Sequence, residues 1–434
     1  MALPAEVAGR VETSAEVAEG YRRYVLGVLL LVYVLNFIDR QILTILTEDI
    51  RKEMALNDTV IGLLTGSAFA LFYTFMGIPI ARWADTGTRR SIVSLALLVW
   101  SGMTALTGLA QSFGQLAVAR IGVGIGEAGC SPPAHSMLSD LYPPARRGTA
   151  LAVYSLGIPI GGGLGALLGG YLGQAYGWRN AFFIVGIPGV LMALLVRGTV
   201  AEPLREKLAS ARTDARESIS EVLRFMGKLP SFRHMAAGAS LHALYGYGAA
   251  NWVPAFLIRV HHMSKPSVGL WIGATTLSVG VLGTFLGGFI TDRVAKHDAT
   301  WYLRVPAIAS GMAIPFAIFF YLWPTTETAL LMSVPGVLLG GVYLGPTFAM
   351  TQTLVRPQMR ALASSILLFI INLIGLGLGP LLVGRVSDLL RPSYGDESLR
   401  YALLIVVVAG TAWATLQYLL AARTLARDLE AKHA

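Results

Sequence analysis

Four ionisable side chains lie inside long apolar stretches of the sequence. Arg120 and Glu127 lie within residues 113–148, and Asp39 and Arg40 lie within an earlier stretch. An ionisable group at the centre of a membrane helix costs roughly 2.5–3.5 kcal/mol on insertion scales, and such groups usually mark substrate pathways or proton relays. The pattern therefore favours the polar centre of a membrane transporter. The alternative is a structural ion-pair cluster that only locks helices together.

The spacing of the four groups predicts how they pair. Arg120 and Glu127 are seven positions apart, so they share one helix face at about 10 Å along the axis. The first and fourth helices are expected to run in opposite directions, which places Asp39 and Arg40 at depths between Arg120 and Glu127. We expect Asp39 to approach Arg120, and Arg40 to approach Glu127. Adjacent residues point about 100° apart, so Asp39 and Arg40 cannot face the same spot.

These pairs suggest distinct chemical roles. Two acids and two bases sum to zero charge, which makes their burial tolerable while they are paired. A buried carboxyl that loses its basic partner to substrate or to helix motion takes up a proton. Glu127, which lies among glycines, is the first candidate proton carrier, and Asp39 is the second. Arg40 and Arg120 are candidates to bind a phosphate or carboxylate head group.

The other candidate substrate-binding residues are uncharged: Asn36, Tyr245, Asn251, Tyr343 and Asn372. Aromatic side chains with few charges suit an amphiphile with an apolar tail. The alternative is that most of them only pack or lie at the membrane interface. His135 and His242 lack metal-ligand spacing, so we expect no metal ion, and nothing in the sequence suggests a cofactor.

Composition restricts the class of protein. Of the 434 residues, 54% are hydrophobic and only 14% are charged, whereas a soluble domain has about 25% charged residues. A multi-span membrane protein is therefore expected. The net charge of +9 then reflects Lys and Arg on the cytoplasmic side rather than nucleic-acid binding. Cys130 is the single cysteine, which excludes an intrachain disulfide.

Hydropathy predicts an all-α membrane protein with twelve transmembrane helices, because each span needs ~20 apolar residues. The polar stretch 198–230 and a loop that repeats between the halves divide them into two six-helix bundles. The predicted spans are 23–47, 58–82, 90–110, 114–140, 148–174, 180–197, 232–258, 267–291, 302–322, 328–353, 361–387 and 399–423. The predicted domains are a cytoplasmic N-terminal segment (1–22), a first bundle (23–197), a cytoplasmic linker (198–230), a second bundle (231–424) and a cytoplasmic tail (425–434).

Lys and Arg are concentrated in alternate connections, which places both termini and the linker in the cytoplasm. The expected location is a bacterial-type inner membrane or another cell membrane. In the linker, apolar residues that include Leu204, Leu208, Ala211, Val222 and Met226 recur at near-helical spacing. They predict a surface helix along the cytoplasmic face. A flexible tether is the alternative.

Two loops repeat between the halves. ARWADTGTRR (81–90) follows the second span, and GFITDRVAKH (288–297) follows the eighth. The first resembles the signature loop of the major facilitator superfamily, G-x-L-A-D-R-x-G-R-K, although Ala replaces its first Gly and Trp its Leu. The resemblance implies a cytoplasmic latch that holds the outward-facing state; a tight solvated turn is the alternative. The latch residues would be Asp85, Arg89, Arg90, Asp292, Arg293 and Lys296.

Three further segments carry a narrower resemblance. They are Asn36-Phe-Ile-Asp-Arg40, Arg120-Ile-Gly-Val-Gly-Ile-Gly-Glu-Ala128 and Ser139-Asp-Leu-Tyr142. Together they resemble the spinster family of lysolipid and sphingolipid transporters. The resemblance implies a secondary carrier in the lipid bilayer that moves an anionic, lipid-like amphiphile by alternating access. The buried carboxyls favour proton coupling, and we expect the protein to be a monomer.

Two other functions stay open. One is a major facilitator carrier for a polar organic anion or a sugar. The other is an integral membrane enzyme, which is less favoured because the sequence has no phosphate-binding P-loop. The glycines near Glu127 lie in a membrane helix rather than after a strand, so they do not indicate a nucleotide site.

Overall fold

The computed structural model describes residues 18–203 and 218–431, and within these ranges the chain is helical with short connections. The first six spans are formed by Glu19–Glu53, Asp58–Thr86, Arg89–Thr107, Phe113–Ala128 with Ser131–Leu141, and Pro144–Ser155 with Gly157–Thr199, which contains two spans. A short helix, Ile219–Lys228, follows. The last six spans are formed by Pro230–Arg259, Lys265–Val294, Trp301–Leu322, Thr326–Gly340 with Leu344–Leu354, the helical residues 360–394, and Ser398–Ala431.

Eight continuous helical stretches in the described part of the chain are long and apolar enough to cross a membrane by length and composition alone. Two of the eight contain a sharp turn and so form two spans each. The turns are at Gly177, where φ is 78°, and at Gly395, where φ is 54°; glycine adopts such angles without a Cβ clash. The broken helix 113–141 and the helix Pro230–Arg259 supply the remaining spans. The predicted twelve-helix, all-α architecture is thereby confirmed.

The first of two compact units contains the described residues 18–43 and 71–203. Glycines allow its helices to approach closely. A Cβ added to Gly126 would lie 2.7 Å from the Trp100 backbone nitrogen, and one added to Gly186 would lie 2.6 Å from that of Ala105. The third span is therefore held against the fourth and the sixth at backbone distance, as is usual where small residues line membrane-helix contacts.

The second unit contains residues 44–70 together with the described residues from 218 onward. The first span, Glu19–Glu53, is one continuous helix, so its last turns belong to the second unit and its earlier turns to the first. Within the second unit, the π-helical turn Leu63–Ser67 packs on the eleventh span. Ser67 Oγ donates to the Gly377 carbonyl at 2.7 Å, and a Cβ on Gly66 would lie 3.0 Å from the same oxygen.

The linker helix Ile219–Lys228 has an apolar side buried in the second unit. Val222 and Met226 are buried within its core cluster. Ser218 and Glu221 form a capping box at the helix start, in which the Ser218 backbone N–H donates to Glu221 Oε2 at 2.7 Å. This bond lowers the pKa of the Glu221 carboxyl. The earlier part of the predicted surface helix, around Leu204, Leu208 and Ala211, lies outside the described residues.

Candidate functional site: a buried polar centre in the first unit

An ion pair between Arg40 and Glu127 joins the first and fourth spans. Arg40 Nε donates to Glu127 Oε2 at 2.5 Å, and the Glu127 side chain is completely buried. The Arg40 guanidinium also lies over two rings, at 5.0 Å from the centroid of Phe37 and 4.7 Å from that of Tyr73. The contact that helix spacing predicts between these charges is present, and aromatic faces extend it through cation–π attraction.

Asp39, adjacent to Arg40, faces another direction, as adjacent helical residues must. It is 3% exposed, and its Oδ2 accepts a hydrogen bond from Thr104 Oγ1 at 3.2 Å. Thr104 is in the third span, and the sequence does not indicate this contact, because one threonine in an apolar helix carries no recognisable signal. Arg120 attracts both Asp39 and Glu127 electrostatically. All four predicted charges therefore belong to one buried group, here called the polar centre.

The polar centre retains unused hydrogen-bonding capacity. Within the described part of the chain, Glu127 Oε1 and Asp39 Oδ1 are buried and accept no hydrogen bond. The amide of Asn36 is 1% exposed and close to Glu127, and its oxygen and nitrogen likewise make no hydrogen bond there. Leaving a buried polar group unsatisfied costs about 1–3 kcal/mol, more for a charged one. The centre can therefore accept a proton or polar groups of a ligand without first breaking every internal bond.

Two of the four uncharged candidates in the second unit lie together around a histidine. Tyr245 Oη is 2.8 Å from His242 Nδ1, and the His242 ring stacks on Tyr343 with 3.8 Å between centroids. Asn251 instead donates to the Tyr247 carbonyl of its own helix at 2.9 Å. Asn372 is half-buried and begins the π-helical turn of the eleventh span. His242 also occurs among the polar and aromatic residues of the seventh span in the sequence, but its position between Tyr245 and Tyr343 has no signal there, because Tyr343 is about 100 positions away.

The first repeated loop is held by an ionic network that centres on Arg89. This guanidinium is 1% exposed, pairs with Asp140, and donates to Glu202 Oε1 at 2.8 Å. The backbone N–H of Arg90 donates to Glu202 Oε2 at 2.8 Å. Asp85 is exposed and forms no hydrogen bond or ion pair with another described residue. The partners of Arg89 therefore come from the fourth span and the end of the sixth, rather than from within the loop.

The second repeated loop is more open. Asp292 accepts a hydrogen bond from Tyr302 Oη at 3.0 Å, and the Arg293 guanidinium lies 4.0 Å from the centroid of Phe289. Lys296 is exposed. The two loops share a sequence pattern, but they differ in what their charged residues contact.

A buried polar centre within a twelve-helix membrane fold is typical of membrane transporters. Comparison with known proteins agrees with this class. Residues 29–380 match the model of the Major Facilitator Superfamily. An MFS-type efflux pump of Mycolicibacterium smegmatis is 36% identical over 403 residues, 93% of each chain. The chain belongs to the Major Facilitator Superfamily and is a transporter of that superfamily.

Within the superfamily, the chain resembles the spinster family. The crystal structure of a bacterial homolog to the human lysosomal transporter spinster, in an inward-facing and unoccupied conformation, superposes with a TM-score of 0.85. It is 34% identical and covers 95% of this chain and 99% of its own. A sphingosine-1-phosphate transporter of Danio rerio is 28% identical, over 88% of this chain and 81% of that protein. A hexuronate transporter of Bacillus subtilis is 26% identical, over 83% and 86% respectively.

Proposed function

We propose that this transporter is a proton-coupled secondary carrier that moves an anionic, lipid-like amphiphile, of the lysophospholipid or sphingolipid type, by alternating access. The observation that carries the proposal is the buried Arg40–Glu127 pair, in which Glu127 Oε1 accepts no hydrogen bond within the described residues. Such a pair can exchange one partner for a ligand or a proton at lower cost than a fully satisfied network can.

Coupling follows from competition for one guanidinium. A phosphate or carboxylate head group that binds Arg40 bidentately weakens the bond from Arg40 to Glu127. The buried Glu127 carboxylate then loses its main counter-charge, and protonation relieves the cost of leaving a charge in an apolar surrounding. Arg120 supplies a second positive charge for the anion. Asp39 is the second candidate proton carrier, since Oδ1 of its carboxylate is also buried without a hydrogen bond in the described chain.

The substrate class is supported by the surroundings of Arg40. Its guanidinium lies over the rings of Phe37 and Tyr73, so a cationic anchor and apolar surface occur side by side, as an amphiphile with a charged head requires. The sphingosine-1-phosphate transporter among the relatives supports the same class. Asn36, Tyr245, Asn251, Tyr343 and Asn372 stay proposed substrate contacts. We also propose that the protein functions as a monomer with both termini in the cytoplasm, as the distribution of Lys and Arg indicates.

A carrier for a polar organic anion is the second candidate function, and the hexuronate transporter among the relatives favours it. Both substrate classes would use Arg40 and Arg120 for an anionic group. They differ in the need for an apolar tail. Competition by a lysolipid and by its free head group against the same labelled substrate separates them, because a hexuronate-type carrier would respond to the small anion alone.

The test uses purified protein in liposomes. Glu127→Gln keeps the side-chain shape but fixes the neutral state. We expect it to retain substrate exchange without a gradient and to lose uptake driven by a pH gradient. The matched control is Glu327→Gln, because Glu327 is an exposed acid at the start of the tenth span. Gradient-driven uptake at the wild-type rate in Glu127→Gln would remove Glu127 from this role and make Asp39 the carrier to test.

A further inference from the structure

The tenth span is interrupted by a turn at residues 341–343, between the helices Thr326–Gly340 and Leu344–Leu354. The last carbonyls of a helix have no partner within that helix, and a buried one must be satisfied from elsewhere. The carbonyl of Gly340, the last residue before the turn, accepts a hydrogen bond from His242 Nε2 at 3.1 Å. His242 belongs to the seventh span, so a side chain of one span supports the backbone of another.

This contact fixes the tautomer of the His242 imidazole. A carbonyl oxygen can only accept, so Nε2 carries the proton and Nδ1 of the neutral ring is an acceptor. Two hydroxyls approach Nδ1: Tyr245 Oη at 2.8 Å and, from the ninth span, Ser310 Oγ at 3.3 Å. Tyr245 Oη is farther, at 3.2 Å, from Nε2. A protonated ring would lose the acceptor and place a charge at a site that is 3% exposed, so the contacts fit the neutral form.

The residue at the other end of the turn is Tyr343, and it rests on the same imidazole. The two rings stack with 3.8 Å between centroids and 22° between planes. The carbonyl of Tyr343 accepts a hydrogen bond from Thr347 Oγ1 at 2.7 Å, and Thr347 Oγ1 in turn lies 2.8 Å from Tyr418 Oη. His242 therefore contacts the turn at both ends, through the backbone of Gly340 and through the ring of Tyr343.

The eighth span restricts the backbone of the turn. A Cβ added to Gly287 would lie 2.5 Å from the carbonyl oxygen of Val342, and one added to Gly341 would lie 2.8 Å from the backbone nitrogen of Thr284. The main chain of the turn is thus packed against the eighth span at backbone distance. The Tyr343 side chain, which is only half-buried, is the part of the turn whose position depends most on His242.

We propose that His242 is a positioning residue for substrate binding: it bonds to Gly340 and stacks on Tyr343, and so holds the Tyr343 ring where substrate binds. His242 is buried and acts through Tyr343 rather than by touching substrate. A tyrosine has an apolar body and a polar tip, so a fixed Tyr343 suits the junction between the head and the tail of an amphiphile. The use of Tyr343 by substrate rests on the proposed function, but the order of its ring does not.

The experiment divides the two contacts of His242 among three variants of the full chain. His242→Phe keeps a ring for stacking but loses the donor to Gly340. His242→Gln keeps an N–H donor near the position of Nε2 but loses the ring, and His242→Leu loses both. The matched control is His234→Gln, because His234 is another histidine of the seventh span, with Nδ1 2.7 Å from Gln417 Oε1.

The first measurement needs no substrate. A fluorotyrosine incorporated at position 343 reports the surroundings of the ring by fluorine NMR of the purified protein. We expect the largest change in chemical shift in His242→Leu, smaller changes in His242→Phe and His242→Gln, and none in His234→Gln. A signal that is unchanged in both His242→Phe and His242→Gln overturns the proposal, even if His242→Leu is not recovered folded.

The second measurement is substrate exchange in liposomes without a pH gradient. The apparent KM should rise about threefold in His242→Phe and in His242→Gln, and about tenfold in His242→Leu, at an unchanged maximal rate. A variant that is only destabilised would instead lose maximal rate at the wild-type KM, and that result overturns the positioning role. If the wild-type protein exchanges no lysolipid, the proposed function fails alone, because the fluorine signal tests His242 independently of substrate.

Discussion

A second group of buried charges lies in the second unit and consists of Glu48, Arg51, Asp58 and Arg259, here called the outer charge cluster. The polar centre and the outer charge cluster have the same charges but different hydrogen bonding. Each contains two acids and two bases that are largely buried. In the outer charge cluster, both oxygens of Glu48 and both of Asp58 accept hydrogen bonds from arginine. In the polar centre, Glu127 and Asp39 each have one buried oxygen with no hydrogen bond inside the described ranges. The difference indicates that the outer charge cluster, whose carboxylate oxygens all accept hydrogen bonds, holds helices together. The polar centre, whose carboxylates retain unused oxygens, is available to ligands and protons.

The largest effect should be on the free energy of unfolding, when Arg259 or Arg40 is removed from its group. Arg259→Gln removes the guanidinium that forms three close hydrogen bonds to Asp58 and Glu48 and leaves Arg51 as their common arginine. We expect it to lower the free energy of unfolding by about 3–5 kcal/mol. Arg40→Gln should lower it less, because Glu127 can be protonated and thus neutralised. Thermal unfolding of both variants in the same detergent, at one pH, measures the difference. Equal losses would contradict the distinction between the two groups.

A smaller effect, on the population of inward-facing states, is expected from the Arg89 network, a third ionic group, which lies at the first repeated loop. Asp140→Asn removes a charge that pairs with the buried Arg89, whereas Asp85→Asn changes an exposed carboxyl. We therefore expect Asp140→Asn to shift the population toward inward-facing states, and Asp85→Asn to shift it less. Distances between labels at the cytoplasmic helix ends measure both. A larger shift in Asp85→Asn than in Asp140→Asn would indicate that Asp85 is the more important acid of the latch, as the sequence motif suggests.

The smallest effect should come from Thr104, which donates the hydrogen bond to Asp39. Thr104→Val keeps the shape but removes a donor that favours the charged carboxylate, so Asp39 should be protonated at higher pH. The midpoint of the pH profile of transport should move upward by about half a unit to one unit. Thr104→Ser should restore it. Thr107→Val is the control, since Thr107 donates to the Met103 carbonyl of its own helix. An unchanged midpoint in Thr104→Val would exclude Asp39 from the titration that limits transport.

Sequence determined the features that depend on local composition and helical period. Apolar runs of sufficient length set the twelve spans, since each must satisfy its backbone hydrogen bonds within itself in lipid. Charges inside such runs identified the polar centre, because a membrane helix rarely carries them without a use. The period of the helix and the opposite direction of two spans then predicted that Arg40 reaches Glu127, which the structure contains at 2.5 Å.

Only the tertiary structure decided which distant residues complete each group. Thr104 reaches Asp39, Asp140 and Glu202 reach Arg89, and Arg259 reaches Asp58 across 201 positions. A threonine in an apolar helix, or a charge at the end of a span, occurs in many membrane proteins without any partner, so its type and spacing carry no pairing signal. Partners are selected by helix packing, which in this chain depends on backbone approaches at glycines such as Gly126 and Gly66. Each of these close approaches depends on the shapes of both helices, so it cannot be predicted from either helix sequence alone.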